Sequence, residues 1–241
     1  MEVAMASTNK RRRTEVALTK EQCKTLLQRL RYYAKALAGK PVLITDDRVL
    51  TYGQLWQQVT EFPGHVQKKG GFISVASNVP ESQLVDWLGA LHHKLKPVIM
   101  HPDMNEERLT EVEARCMAPA PGKDTADFGV LSSGSTGVPK VLWRALRSWE
   151  EFFDEQNRVF QVNEATVLFF HGSLSFTGNL NSIAGVLYAG GTLVTSAHMS
   201  PKTWHRLCDQ YGVTHLYLLP TKLRLLLPIL HEPLPMLSMI F

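Results

Sequence analysis

From Gly71 onward the sequence keeps returning to one pattern, a short β-branched or aromatic run followed by a segment with helical spacing. Phe72–Ala76, Pro97–Met100, Phe128–Leu131, Val141–Ala145, Thr166–Phe170, Thr192–Thr195 and Thr214–Leu219 read as strands. Glu81–Lys94, Glu106–Cys116, Trp149–Phe160, Gly178–Tyr188, Pro201–Tyr211 and Thr221–Leu227 read as helices. Such alternation implies βαβ units, because parallel neighbours need a crossover long enough to hold a helix. The expected fold class is α/β, with mostly parallel sheets flanked by helices on both faces.

The region before Gly71 is more local in character. Thr19-Lys20-Glu21-Gln22 has the form of a capping box, so a first helix is expected to start at Thr19 and to end at Gly39 and Pro41. Val42–Ile44 and Val49–Leu50 predict a hairpin around Asp46-Asp47, and Thr51-Tyr52-Gly53-Gln54 opens a second helix with another capping box. Further on, Ser148 is expected to cap the helix Trp149–Phe160.

Charge and cysteine content exclude several classes. The 26 Lys+Arg against 22 Asp+Glu give a net charge of +4, much of it in Lys10-Arg11-Arg12-Arg13. Residues 1–18 therefore read as a basic, disordered terminus, and the nearly neutral remainder implies no nucleic-acid partner. Cys23, Cys116 and Cys208 are odd in number and form no CxxC pair, which argues against a disulfide framework or a zinc ribbon. No apolar run approaches the roughly 20 residues that a bilayer requires, so a cytoplasmic protein with no membrane partner is expected. Leu237–Phe241 reads as a strand entering a core, and the sequence looks cut short there.

Ser132-Ser133-Gly134-Ser135-Thr136-Gly137-Val138-Pro139-Lys140 carries the chemistry. Its glycines allow close backbone approach to a ligand, its hydroxyls and free amides suit phosphate oxygens, and Lys140 adds a point charge. It is not a Walker A loop, because Gly134 and Gly137 are too close. It is not a nucleophile elbow either, since no Ser stands centrally between glycines at that spacing.

This stretch resembles the T-S-G-S-T-G-x-P-K signature of the adenylate-forming superfamily: acyl- and aryl-CoA synthetases, peptide-synthetase adenylation domains and luciferases. Thr51-Tyr52-Gly53-Gln54-Leu55 resembles the family's T-Y-x-E-L helix start, and Asp127 stands at its acidic position before the loop strand. Phe170-His171-Gly172 through Ala189-Gly190-Gly191-Thr192-Leu193-Val194 resembles its acyl-pocket segment. The resemblance implies that residues 19–241 are part of the large N-terminal domain. The implied reaction is ATP-dependent conversion of a carboxylic acid to an acyl-adenylate, followed by transfer to a thiol of CoA or of a phosphopantetheinyl carrier protein. ATP enters as its Mg2+ complex. Ser132, Ser133, Gly134, Ser135, Thr136, Gly137 and Lys140 would bind its phosphates, while His171, Ser175, Phe176, Thr177 and Gly178 would line the acyl pocket.

Two departures qualify the resemblance. Val141 replaces the usual Gly after the motif lysine, and Ala145-Leu146-Arg147-Ser148 stands where S-H-x-N is common. Either His171 or Ser175 matches the family's gating His, and Thr177 matches the Asp of amino-acid-activating relatives. The span His171–Leu193 holds no acidic residue, which favours a fatty or aryl acid over an α-amino acid. The adenine and ribose contacts and the family's catalytic Lys are expected beyond Phe241, so these 241 residues are not expected to complete adenylation alone. A non-catalytic paralogue that binds nucleotide or a carrier protein remains open, as does an unrelated nucleotide-binding α/β protein.

Overall fold

The computed structural model of the chain describes residues 18–63, 71–132, 139–230 and 234–241. The basic run and residues 133–138 of the Ser/Gly loop, whose mobility is expected from glycine content, lie outside the described residues. The chain opens with α1 (Leu26–Ala36), the hairpin β1 (Pro41–Ile44) and β2 (Val49–Thr51), and α2 (Tyr52–Glu61). Next come β3 (Ile73–Val75), α3 (Pro80–His92), β4 (Pro97–Ile99), α4 (Glu106–Met117), β5 (Phe128–Ser132) and β6 (Lys140–Arg144). The remainder is α5 (Arg147–Val159), β7 (Val167–Phe170), α6 (Thr177–Ala189), β8 (Thr192–Val194), α7 (Pro201–Gln210), β9 (His215–Tyr217), α8 (Pro220–Leu226) and β10 (Met239–Ile240).

Two sheets result, ordered β10-β9-β7-β8-β1-β2 and β3-β4-β5-β6. Among the described strands every pairing is parallel except the hairpins β1–β2 and β5–β6, so the α/β expectation holds. One core joins the sheets: Leu168, Phe170 and Leu193 share it with Ile73, Val75, Ile99, Phe128 and Val130. α6 belongs to this core, with Leu180, Ile183, Ala184, Val186 and Leu187 all buried, as a helix apolar on most sides requires. The far face of the larger sheet carries Phe169, Val194 and Leu216 against Trp204 and Leu207 of α7 and Leu226 of α8. Side chains alternate along a strand, so β7 turns Phe170 toward α6 and Phe169 toward α7.

Two local expectations need correction. Thr19 does close its box, its amide donating to Gln22 Oε1 at 2.9 Å, but this holds only a 3-10 turn over Lys20–Gln22. α1 starts later, on the second Thr-x-x-Gln box, where Thr25 Oγ1 accepts from the Gln28 amide. The break between the boxes buries Cys23 and exposes its carbonyl to Arg29 Nε at 2.8 Å. Ser148 does not cap α5. Its hydroxyl donates to the Ala145 carbonyl, and the Leu146 amide donates instead to the Asp127 carboxylate at 2.7 Å. Asp127→Ala should therefore cost about 1 kcal/mol of stability, the typical worth of a capping side chain, measured by urea unfolding. A variant as stable as the parent would show that α5 does not need this cap.

Candidate functional site

β5 leads into the Ser/Gly loop and β6 leads out, with Ser132 paired opposite Lys140 across the antiparallel ladder. Ser132 is half-buried and Lys140 exposed, while Ser133, Gly134, Ser135, Thr136 and Gly137 lie outside the described residues. Both ends of the loop are thus anchored at the carboxyl end of β5. At that end the Leu131 amide donates to the Ser175 carbonyl at 3.1 Å, and Leu131 and Phe176 form a parallel bridge. The two segments singled out in the sequence, more than forty residues apart, are therefore in direct contact across the junction of the sheets.

The segment leaving β7 is held from several sides before it enters α6. Asn179 Nδ2 donates to the Ser173 carbonyl at 2.8 Å, and the Leu174 amide reaches Gln83 Oε1 at 3.4 Å. Ser175 is buried, with Ser173 Oγ 2.9 Å from its own hydroxyl, whereas Phe176 is exposed and meets His101 edge-on at 5.2 Å. Thr177 is half-buried at the start of α6. Gly178 has no room for a side chain, because a Cβ there would collide with the Tyr217 hydroxyl. Gly178, Asn181, Ser182, Tyr217, Phe160 and Phe241 line a cavity of about 190 Å³. Burial raises the Tyr217 phenol above its ordinary value, so the hydroxyl stays protonated and available as a donor.

His171 is placed differently. As the residue after Phe170 it follows Phe169 onto the α7 side, where its ring lies 4.5 Å from that of Trp204. Lys222 Nζ is 2.8 Å from His171 Nδ1 and donates to the His171 carbonyl at 3.0 Å. Burial, and then the neighbouring ammonium, push the imidazole down to about 4, so the ring is neutral near pH 7. An ammonium donating to Nδ1 puts the ring proton on Nε2, which is buried without a hydrogen-bond partner. Lys222 itself is lowered by burial.

The sequence places Lys222 in the helix read over Thr221–Leu227 and gives it no role. One signal was present: Lys222 stands in the first turn of a short helix, where a cation opposes the dipole, and residues 220–226 contain no acid to offset it. A larger cleft of about 420 Å³, lined by Lys20, Arg29, Asp154, Glu164 and Tyr188, lies by the turn that leads into β7, at the opposite end of that strand from His171. No group of three or more His, Cys, Asp or Glu that could hold a metal occurs among the described residues. Nor is any helix among them long and apolar enough to cross a membrane.

These features coincide with a family match. The model of the AMP-binding enzyme family matches residues 72–238, and the chain belongs to that family. A putative long chain fatty acid-CoA ligase, VraA, of Staphylococcus epidermidis is 22% identical over 226 residues, covering 85% of this chain and 50% of the relative. Acetyl-coenzyme A synthetase 1 of Debaryomyces hansenii is 34% identical over 105 residues, 41% of this chain and 16% of that protein. The chain thus spans about half the length, or less, of these curated relatives. Among solved structures, o-succinylbenzoate CoA synthetase (MenE) of Bacillus subtilis, in complex with its acyl-adenylate intermediate, superimposes with a TM-score of 0.76 at 13% identity. That match covers 88% of this chain and 52% of the enzyme's. VinN in complex with L-aspartate gives 0.73 at 17% identity, covering 90% and 68%. At these identities the two structures establish the fold.

Proposed function

We propose that this chain supplies the phosphate loop and acyl pocket of an enzyme that activates a non-amino carboxylic acid, fatty or aryl. The acid's carboxylate attacks the α-phosphate of ATP to give an acyl-adenylate and pyrophosphate, and a thiol of CoA or a carrier protein then takes the acyl group. The observation that carries this reading is the Leu131–Ser175 hydrogen bond, which sets the root of the Ser/Gly loop beside the segment that enters α6. Ser132–Lys140 would hold the β- and γ-phosphates, with backbone and hydroxyl donors offsetting the charge that accumulates on the leaving pyrophosphate. Mg2+ would enter as part of the nucleotide substrate, as the family resemblance implies.

The cavity under Gly178 and Tyr217 would take the acyl or aryl group. Phe160 and Phe241 give it apolar walls, and Asn181, Ser182 and the Tyr217 hydroxyl give it polar ones. Among the described residues no Asp or Glu side chain lines it to pair an ammonium, which supports a non-amino acid over an α-amino acid. ATP–pyrophosphate exchange in the whole enzyme tests this. Fatty or aryl acids should stimulate exchange, and Gly178→Val should abolish it for aryl acids by driving a side chain into the Tyr217 hydroxyl. Exchange with proteinogenic amino acids alone would overturn the substrate assignment, and exchange with no acid would favour a nucleotide- or carrier-binding chain without chemistry.

A further inference from the structure

The larger sheet reverses its winding between β7 and β9. These strands are neighbours, yet the chain leaves β7 into α6 on one face and leaves β9 into α8 on the other. In open α/β sheets a crevice opens at the carboxyl ends of two such strands, and ligands bind there. The residues meeting at this crevice are His171 and Gly172 from the end of β7, Asn179 from the first turn of α6, and Lys222 from the first turn of α8. Lys222 Nζ and Asn179 Nδ2 both lie 3.1 Å from the point where a Gly172 side chain would begin, so the glycine, at φ +131, leaves the space in which the two nitrogens meet.

Lys222 is a cation without a counter-charge. Its two recorded contacts are to the His171 ring and carbonyl, and no carboxylate of the described residues lies within ion-pair distance of it. Half-burying a charged amine costs free energy unless an opposite charge or several acceptors compensate. The neighbouring α6 adds to the imbalance, since its first turn has no side-chain cap. Asn179 Nδ2 already donates to Ser173 but retains a second N–H. The crevice therefore presents donors and a positive charge whose only acceptors among the described residues are neutral, the His171 ring and carbonyl and the Ser173 carbonyl, while the Asp46 carboxylate acts on His171 without pairing Lys222.

We propose that Lys222, steered by His171, binds an oxyanion of the activation reaction at the β7–β9 crevice. The oxyanion is either a carboxylate of the acid or a phosphoryl group of the nucleotide or thiol substrate. The site rests on the reading above for its reaction, but its charge balance can be measured without turnover. His171 acts as a positioning residue, since its carbonyl and Nδ1 together fix the direction of the amine. The closeness of Lys222 to the entry of α6 favours a carboxylate on the acid, and a diacid over a monoacid, because one carboxyl must stay free to react.

The test uses this chain and an amine-acetylating reagent, with the rate at Lys222 followed by peptide mass spectrometry and exposed Lys202 as the internal reference. Succinate, butyrate and pyrophosphate are compared at about 20 mM with chloride at matched ionic strength. A site with an affinity of a few millimolar should slow Lys222 about fivefold while Lys202 is unchanged. Protection by succinate alone identifies a diacid, by butyrate also a simple acid, and by pyrophosphate alone a phosphoryl group. Lys222→Arg should keep, and Lys222→Met should lose, a rise in melting temperature with the protecting anion, which separates a folding defect from lost binding. If no anion protects Lys222 more than Lys202, the proposal is wrong, whatever pyrophosphate exchange shows. If an anion protects but exchange fails with every acid, the site stands and the activation reading falls.

Discussion

Trp204→Ala should lower the unfolding free energy by about 3–5 kcal/mol, the range for removing a large aromatic from a packed interior. Trp204 is fully buried, and its Nε1 donates to the His198 carbonyl at 2.8 Å. It packs against Phe169 on the sheet and against the His171 ring, tilted 43° to it, so the loss reaches both the core and the crevice. Urea unfolding measures the first effect, and the acetylation rate of Lys222 measures the second. With the neighbouring indole removed, His171 should no longer hold the amine in one direction, and Lys222 should react faster. A loss below about 1 kcal/mol would mean that α7 is not anchored through this residue.

Acid should destabilise the protein in a specific window because of His171. Its folded value, about 4, lies below the ordinary value of 6.5, so the unfolded chain binds the proton more readily. The sign follows directly: the neutral imidazole's contribution is complete above about pH 6.5 and is lost as pH falls toward 4. A depression of this size corresponds to at most about 3 kcal/mol. Burial is the largest cause, followed by the Lys222 ammonium on α8, while Asp46 in the turn between β1 and β2 acts in the opposite direction. In His171→Asn the Oδ1 atom can replace Nδ1 as an acceptor for Lys222 without titrating. The stability of this variant should fall less between pH 6.5 and 4.5, and parallel profiles for the two proteins would show that His171 protonates freely in the folded state.

The class of fold was legible because hydrophobic periodicity is a local property. Runs such as Phe128–Leu131 and the spacing of Leu180, Ile183, Ala184 and Leu187 dictate strand and helix with no knowledge of neighbours. The hairpin at Asp46-Asp47 and the Thr51 capping box were legible for the same reason. The start of α1 was not, since Thr19 and Thr25 offer identical boxes and only burial of Cys23 and its bond to Arg29 chose the second. The cap of α5 was hidden too, because Asp127 precedes Leu146 by nineteen residues and faces it only once β5 and β6 have paired.

The sequence by itself determined the alternation of strands and helices and the Ser/Gly-rich signature Ser132–Lys140, because propensity and spacing act over a few residues. Tertiary structure alone decided which strands became neighbours. By setting β9 beside β7 rather than beside β8, it brought Lys222 within 2.8 Å of a histidine 51 residues earlier. Nothing in either local segment encodes that meeting. It depends on the apolar faces of α6 and α8 being buried on opposite sides of one sheet, which leaves their first turns facing the same crevice.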